Sequence, residues 1–214
     1  MSISIRAASI VIAAVFSFGA QAGVIEKAPD QGAYWQPLDP SNGTYIYSNS
    51  FVADMTGTVS NLGFWATDNF SDSGSAQVVL QVYAAGPTPD STNVVAETPV
   101  IDLALEDTLD FFSAAPSFSG LLTAGLQYWF AANVIGLTAD AQIKVGGHTQ
   151  NSGGINDNGT FWFSNDPTGI NFDGQSFTPE MAFRVEIEPV PEPTTLLLLG
   201  VGLAGLGFAR RRLH

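Results

Sequence analysis

The sequence predicts an all-β protein, an antiparallel β-sandwich of jelly-roll kind, and three observations carry that prediction. Apolar and polar residues alternate over short runs, clusters of Gly, Pro, Asn and Asp separate the runs, and no long helical period appears between the chain's two apolar ends. The alternation is clearest where Val78, Leu80 and Val82 interleave with Gln77, Val79 and Gln81. It recurs where Met181, Phe183, Val185 and Ile187 interleave with Ala182, Arg184, Glu186 and Glu188. About ten short strands in one domain are too many for a single sheet to bury, so two packed layers are expected. An immunoglobulin-like sandwich is the alternative, because no strand register separates the two from sequence.

Taken in order, the chain opens with a mildly positive stretch, Met1 to Arg6, an apolar stretch from Ala7 to Phe18, and the small-x-small step Ala20-Gln21-Ala22. That order reads as a secretory signal peptide over residues 1–22, cut before Gly23. Strands are then predicted at Tyr45 to Val52, Val59 to Ala66, Gln77 to Val82, Val94 to Glu97 and Val100 to Leu105. Further strands are predicted at Phe118 to Leu122, Gln127 to Ile135, Ala141 to Val145, Thr160 to Ser164 and Met181 to Glu188. Turn chemistry at Gly86-Pro87-Thr88-Pro89-Asp90 and Asp166-Pro167-Thr168-Gly169 separates them. Glu106 to Phe112 is expected to form a helical turn. No internal repeat occurs.

The sandwich is expected to span residues 23–189, a length that suits one domain with a sizeable core. All 20 acidic residues fall between Glu26 and Glu192, where Lys27, Lys144 and Arg184 are the only basic ones. Such a balance argues against nucleic acid or an anionic lipid surface as partner, because both would repel the domain. Cysteine is absent, so neither disulfides, thiol chemistry nor cysteine-held zinc is available.

Candidate binding chemistry concentrates between His148 and Gln175. Asn156, Asp157, Trp162, Asn165, Asp166 and Asp173 combine oxygen and amide side chains with an aromatic ring, the materials that hydrogen-bond sugar hydroxyls and cover a pyranose face. The same oxygens suit Ca²⁺, although no cofactor is required and no metal ligands are assigned. Tight turns and a core tryptophan are the simpler explanation of the same residues. Asp68, Asp72 and Gly74 match the start of a calcium loop but lack EF-hand spacing and its closing glutamate. No catalytic residues are assigned. His148 is the sole histidine before the tail, and no Gly-x-Ser-x-Gly, His-Glu-x-x-His or phosphate-loop motif occurs. The carboxylates, Glu97 and Glu180 among them, leave a glycoside hydrolase as an alternative.

The final segment, residues 190–214, divides into three parts. In Val190-Pro191-Glu192-Pro193, Pro191 and Pro193 fix an extended strip that a processing enzyme can grip. Residues 194–209 are uncharged and apolar enough for a single transmembrane helix, and residues 210–214 begin with Arg210, Arg211 and Arg212, which act as a cytoplasmic stop. The span gives a helix of only ~24 Å at ~1.5 Å per residue against a hydrocarbon core of ~30 Å, a shortfall that snorkelling arginines and local thinning can cover. Gly200, Gly202, Gly205 and Gly207 weaken the helix further, which suits transient retention.

This Pro-Glu-Pro strip, Leu/Gly-rich span and arginine cluster resemble the PEP-CTERM sorting domain of exopolysaccharide-producing Gram-negative bacteria. The resemblance implies recognition by a membrane-embedded exosortase, cleavage near Pro191 to Pro193, and transfer from an inner-membrane intermediate to the cell surface or extracellular matrix. The body of the chain resembles a choice-of-anchor type β domain. That resemblance rests on Ser50-Phe51, the strand from Val78 to Tyr83, the segment Leu122 to Phe130, and Phe161-Trp162-Phe163. The expected role is a non-catalytic structural protein of the biofilm matrix, associated with exopolysaccharide. The alternative is a carbohydrate-binding module with a Ca²⁺ site.

Overall fold

The computed structural model describes residues 22–38, 43–68, 74–138, 142–148, 161–172, 174–176 and 180–190. Most of the signal-peptide segment, including Ala20, and the sorting segment from Pro191 through Arg212 fall outside them, as do Asn156, Asp157 and Asp173. In chain order the first strands are β1 (Gly23–Lys27), β2 (Gln31–Leu38), β3 (Ile46–Val52), β4 (Gly57–Asp68) and β5 (Gly74–Tyr83). The middle strands are β6 (Val94–Glu97), β7 (Ile101–Leu105), β8 (Asp110–Ala114), β9 (Phe118–Ser119) and β10 (Leu121–Leu122). The last are β11 (Gln127–Asn133), β12 (Ile143–His148), β13 (Phe161–Ser164), β14 (Gly174–Ser176), β15 (Glu180–Met181) and β16 (Phe183–Pro189).

These strands build two antiparallel sheets that enclose one main core. The first sheet runs β1-β16-β4-β12-β15, with β8 and β10 also on β4 and β2 on β12; the second runs β14-β13-β3-β11-β5-β6-β9, with β7 on β5. Consecutive strands cross between layers, as β3, β4 and β5 do, while sheet neighbours such as β1 and β16 come from opposite ends of the domain. The all-β sandwich expected from alternation is therefore present.

Alternation explains the layers strand by strand. On β16, Phe183, Val185 and Ile187 are buried while Arg184 and Glu186 are half-buried and Glu188 is exposed. Ala76, Val78, Leu80 and Val82 do the same for β5. On β4 the inward residues are Val59, Leu62, Phe64 and Ala66, which break strict period two between 59 and 62. A bulge resolves this: Ile187 pairs with Val59 and Glu186 with Asn61, so Ser60 is the extra residue that restores the apolar face to the core. Phe130 stacks on Phe183 across the layers at 4.8 Å, and Phe51 lies 6.0 Å from both Phe183 and Tyr128.

Several boundaries differ from the sequence expectation. Glu106 to Phe112 does not form a helical turn; β8 begins at Asp110 and pairs with β4 from Ala66 to Leu62. The exposed edge of β4 offers this segment a complete hydrogen-bonding ladder. Period two then suits its aromatics, with Phe112 packed against the core and Phe111 on the outer face, 4.6 Å from Trp65. The run from Phe118 to Leu122 splits at Gly120, where the chain leaves β6 of the second sheet for β4 of the first. A Cβ at Gly120 would stand 3.0 Å from a Val95 methyl and 3.2 Å from its carbonyl oxygen. Strands β1, β2 and β14 had no counterpart in the sequence reading. Among the described residues no helix is long and apolar enough to cross a membrane; residues 194–209 lie outside them.

Candidate functional site

The outer face of the second sheet carries its own small apolar cluster, and that cluster positions the candidate site. Ile46 of β3, Tyr83 of β5 and Trp129 and Ala131 of β11 are buried there, with Tyr45, Val94, Ile135, Trp162 and Phe172 packed against them. Two segments cover part of this face, 84–93 after β5 and 165–172 after β13. Trp129 donates its indole N–H to the Gly86 carbonyl at 3.0 Å, Phe172 meets Tyr83 edge-on at 6.2 Å, and the Ser91 hydroxyl donates to the Gly169 carbonyl. Trp129 is thus a fully buried pillar under the first segment.

Between these segments and the sheet lies an open cleft of about 290 Å³, lined among others by Gln81, Glu97, Asn133, Ser91 and Thr168. A connected polar network forms its floor. Gln81 accepts from the Tyr83 hydroxyl at 3.0 Å and from the Asn133 amide at 3.1 Å, and donates its own amide to Glu97 at 2.5 Å. Asn133 is fixed in turn by accepting the Ile135 N–H at 2.8 Å. Burial, reinforced by the Glu97 charge, pushes the Tyr83 phenol well above its ordinary range, so it remains a neutral donor. Gly169 forms part of the wall at a φ of +71°, and a Cβ there would meet Ile135 at 2.6 Å. The arrangement presents amide and carboxylate groups of fixed orientation beside aliphatic surface.

The sequence-predicted residues that are described lie at the rim of this same face. Trp162 points outward because β13 alternates, sending Phe161 and Phe163 to the core; its ring is half-buried on the outer cluster and its indole N–H has no partner among the described residues. Asn165 is exposed and accepts from the Thr44 hydroxyl at 3.4 Å. Asp166 organises the turn. It accepts the N–H and hydroxyl of Thr168 at 2.8 and 2.7 Å, and the N–H and amide of Asn171 at 3.1 and 2.8 Å. These bonds, those from Thr168 foremost, hold its carboxyl down to about 2. Both Asp166 oxygens are therefore engaged in shaping the loop.

Glu97 and Glu180 do not share a site. Glu97 lines the outer cleft, whereas Glu180 is buried among the core residues with Lys27 and Asn49. Among the described residues no group of three His, Asp or Glu side chains is placed to hold a metal ion. Sequence reasoning missed Gln81, Glu97 and Asn133 as a group, because they come from three separate strands. The outward polar positions of β5 and β11 were the one available signal.

The fold defines an all-β sandwich with a partly covered outer face, and the chain's sorting signal adds its destination. Residues 189–212 match the family described as the PEP-CTERM protein-sorting motif. The chain thus carries the mark of an exported, exosortase-targeted protein that passes through a membrane-anchored intermediate. No curated protein matches it.

Proposed function

We propose that the domain is a non-catalytic structural component of an exopolysaccharide-rich exterior, exported by its signal peptide and released to the surface or matrix by exosortase cleavage near Pro191 to Pro193. The observation that supports this reading is the junction between fold and signal. Strand β16 ends at Pro189, paired with Gly57 of β4, and the sorting motif is matched from that same residue. Cleavage just beyond would leave both sheets whole, so the processed product keeps its fold. The excess of acidic side chains suits a hydrated, polyanion-avoiding role outside the cell. Fractionation of the host tests this. The protein is expected with the matrix in the wild type, at the inner membrane without exosortase, and in the medium without polysaccharide synthesis. Unchanged surface retention without polysaccharide contradicts the association.

The cleft supports a second reading, a carbohydrate-binding module. Its volume fits one sugar residue, and the Gln81, Glu97 and Asn133 groups supply donors and acceptors in fixed positions, with Trp162 nearby on the same face. Polysaccharide pull-down with Asn133→Ala and Trp162→Ala separates the readings. Reduced retention in both variants supports a binding site, and full retention in both contradicts it.

A further inference from the structure

The interior holds a second polar constellation, unrelated to the outer cleft. Lys27 ends β1, Asn49 sits in the middle of β3, and Glu180 opens β15; they are 3 %, 0 % and 2 % exposed. The Lys27 amine donates to Oε2 of Glu180, and the same oxygen accepts the Asn49 Nδ2 at 3.3 Å. The other side of that carboxamide is held as well, because Asn49 Oδ1 accepts the Met181 backbone N–H at 3.0 Å. The amine also donates to the carbonyl of Ser50, the residue after Asn49, at 3.4 Å. It lies 5.6 Å from the centre of the Phe183 ring, which in turn stacks on Phe130. An amine and a carboxamide thus converge on one carboxylate oxygen beside the Phe183 ring, with a backbone donor on the carboxamide oxygen.

A simple buried ion pair is a weak explanation for this arrangement. Desolvating two charges offsets much of their attraction, and apolar side chains of similar volume commonly do as well. Nor does a lysine–glutamate pair require a carboxamide bound to the same oxygen. The set matches instead what acyl transfer needs: a nucleophile, an electrophile whose oxygen is held by an N–H donor, and a proton carrier touching both nitrogens.

We propose that Lys27 and Asn49 are joined by an intramolecular isopeptide bond whose formation Glu180 catalyses. Glu180 takes a proton from the Lys27 ammonium, and the freed lone pair attacks Cγ of Asn49 to form the new C–N bond. The Met181 N–H donates to the oxygen that becomes negative. Glu180 carries two protons in succession from Nζ to Nδ2, the Cγ–Nδ2 bond breaks, and the nitrogen departs as ammonium. Glu180 ends as the carboxylate it began as, and no oxidant or cofactor enters. The product ties β1 of the first sheet to β3 of the second, a covalent staple in a chain without cysteine.

Mass spectrometry of the purified full chain tests this, combining intact mass with peptide mapping. The expected result is a mass lower by one ammonia than the sequence requires, together with a branched peptide joining the Lys27 and Asn49 segments. Glu180→Gln and Lys27→Arg are expected to retain the ammonia and to give linear peptides. Should either variant fail to fold, the wild-type map alone decides. Separate linear peptides bearing unmodified Lys27 and Asn49 overturn the proposal, as does an ammonia loss that maps instead to an Asn-Gly step such as Asn42-Gly43.

Discussion

Asn49 of β3 and Glu180 of β15 connect the two sheets through a buried hydrogen bond, Nδ2 to Oε2 at 3.3 Å. The bond lies where Lys27 also brings its charge, so three polar side chains are satisfied inside an otherwise apolar core.

Removing the carboxylate should therefore be costly. Glu180→Ala removes the group that the proposed cross-link needs and strands the Lys27 ammonium in the interior, for which a loss of about 3–5 kcal/mol is expected. Urea unfolding of the variant measures it. A midpoint equal to the wild type's would show that the polar set carries no stability.

Two glycines of β4 predict different outcomes for the same substitution. A Cβ at Gly57 would stand 2.2 Å from the Glu188 carbonyl oxygen, which is backbone and cannot swing aside. Gly57→Ala should cost about 1–3 kcal/mol as the end of β16 is displaced. At Gly63 the obstacle is the ring tip of Phe111, 2.3 Å away and on an exposed side chain that can rotate. Gly63→Ala should cost less and disturb the Trp65–Phe111 contact, which tryptophan fluorescence reads. Equal losses at both positions would contradict this account of the strand.

The network under the cleft predicts a third effect. Gln81→Leu leaves the buried Tyr83 hydroxyl without its acceptor and frees the Asn133 amide, so about 1–3 kcal/mol should be lost. Thermal unfolding checks it.

The titration behaviour has a definite sign at each end of the pH scale. Burial raises the Tyr47 and Tyr83 phenols above their ordinary value of about 10, so their contribution is complete below that pH and falls as pH rises beyond it, when the unfolded chain ionises first. Asp166 is depressed to about 2, so its turn is fully supported above the ordinary aspartate value of about 3.9 and loses that support as pH falls towards 2. Ultraviolet titration should show both tyrosines ionising together with unfolding. Ionisation of either in the folded protein near its ordinary value would contradict their burial.

Much of the fold was legible: alternation placed β5 and β16 directly, and short runs between turn signals placed β3, β6, β11 and β13 close to where they lie. The errors share a cause. Segment 106–112 carries no strong period of its own, and its residues 110–112 joined strand β8 because β4 had an edge to offer, while β1 is a strand because β16 pairs with it from Gly23 to Lys27. Sites were less legible for the same reason. Glu180 lies most of the chain away from Lys27 and Asn49, and nothing in the sequence brings the three together until the sheets close over them. The bonds of Asp166, by contrast, are local, because the Asp-Pro-Thr-Gly turn that the sequence shows sets them within the loop.

The sorting claim is tested most directly by the intact mass of the protein recovered from outside the cell. The account predicts a product that ends near Pro191 to Pro193 and lacks Leu196, the glycine-rich span and Arg210 to Arg212. A product that still carries those residues would contradict it and leave a permanently anchored protein.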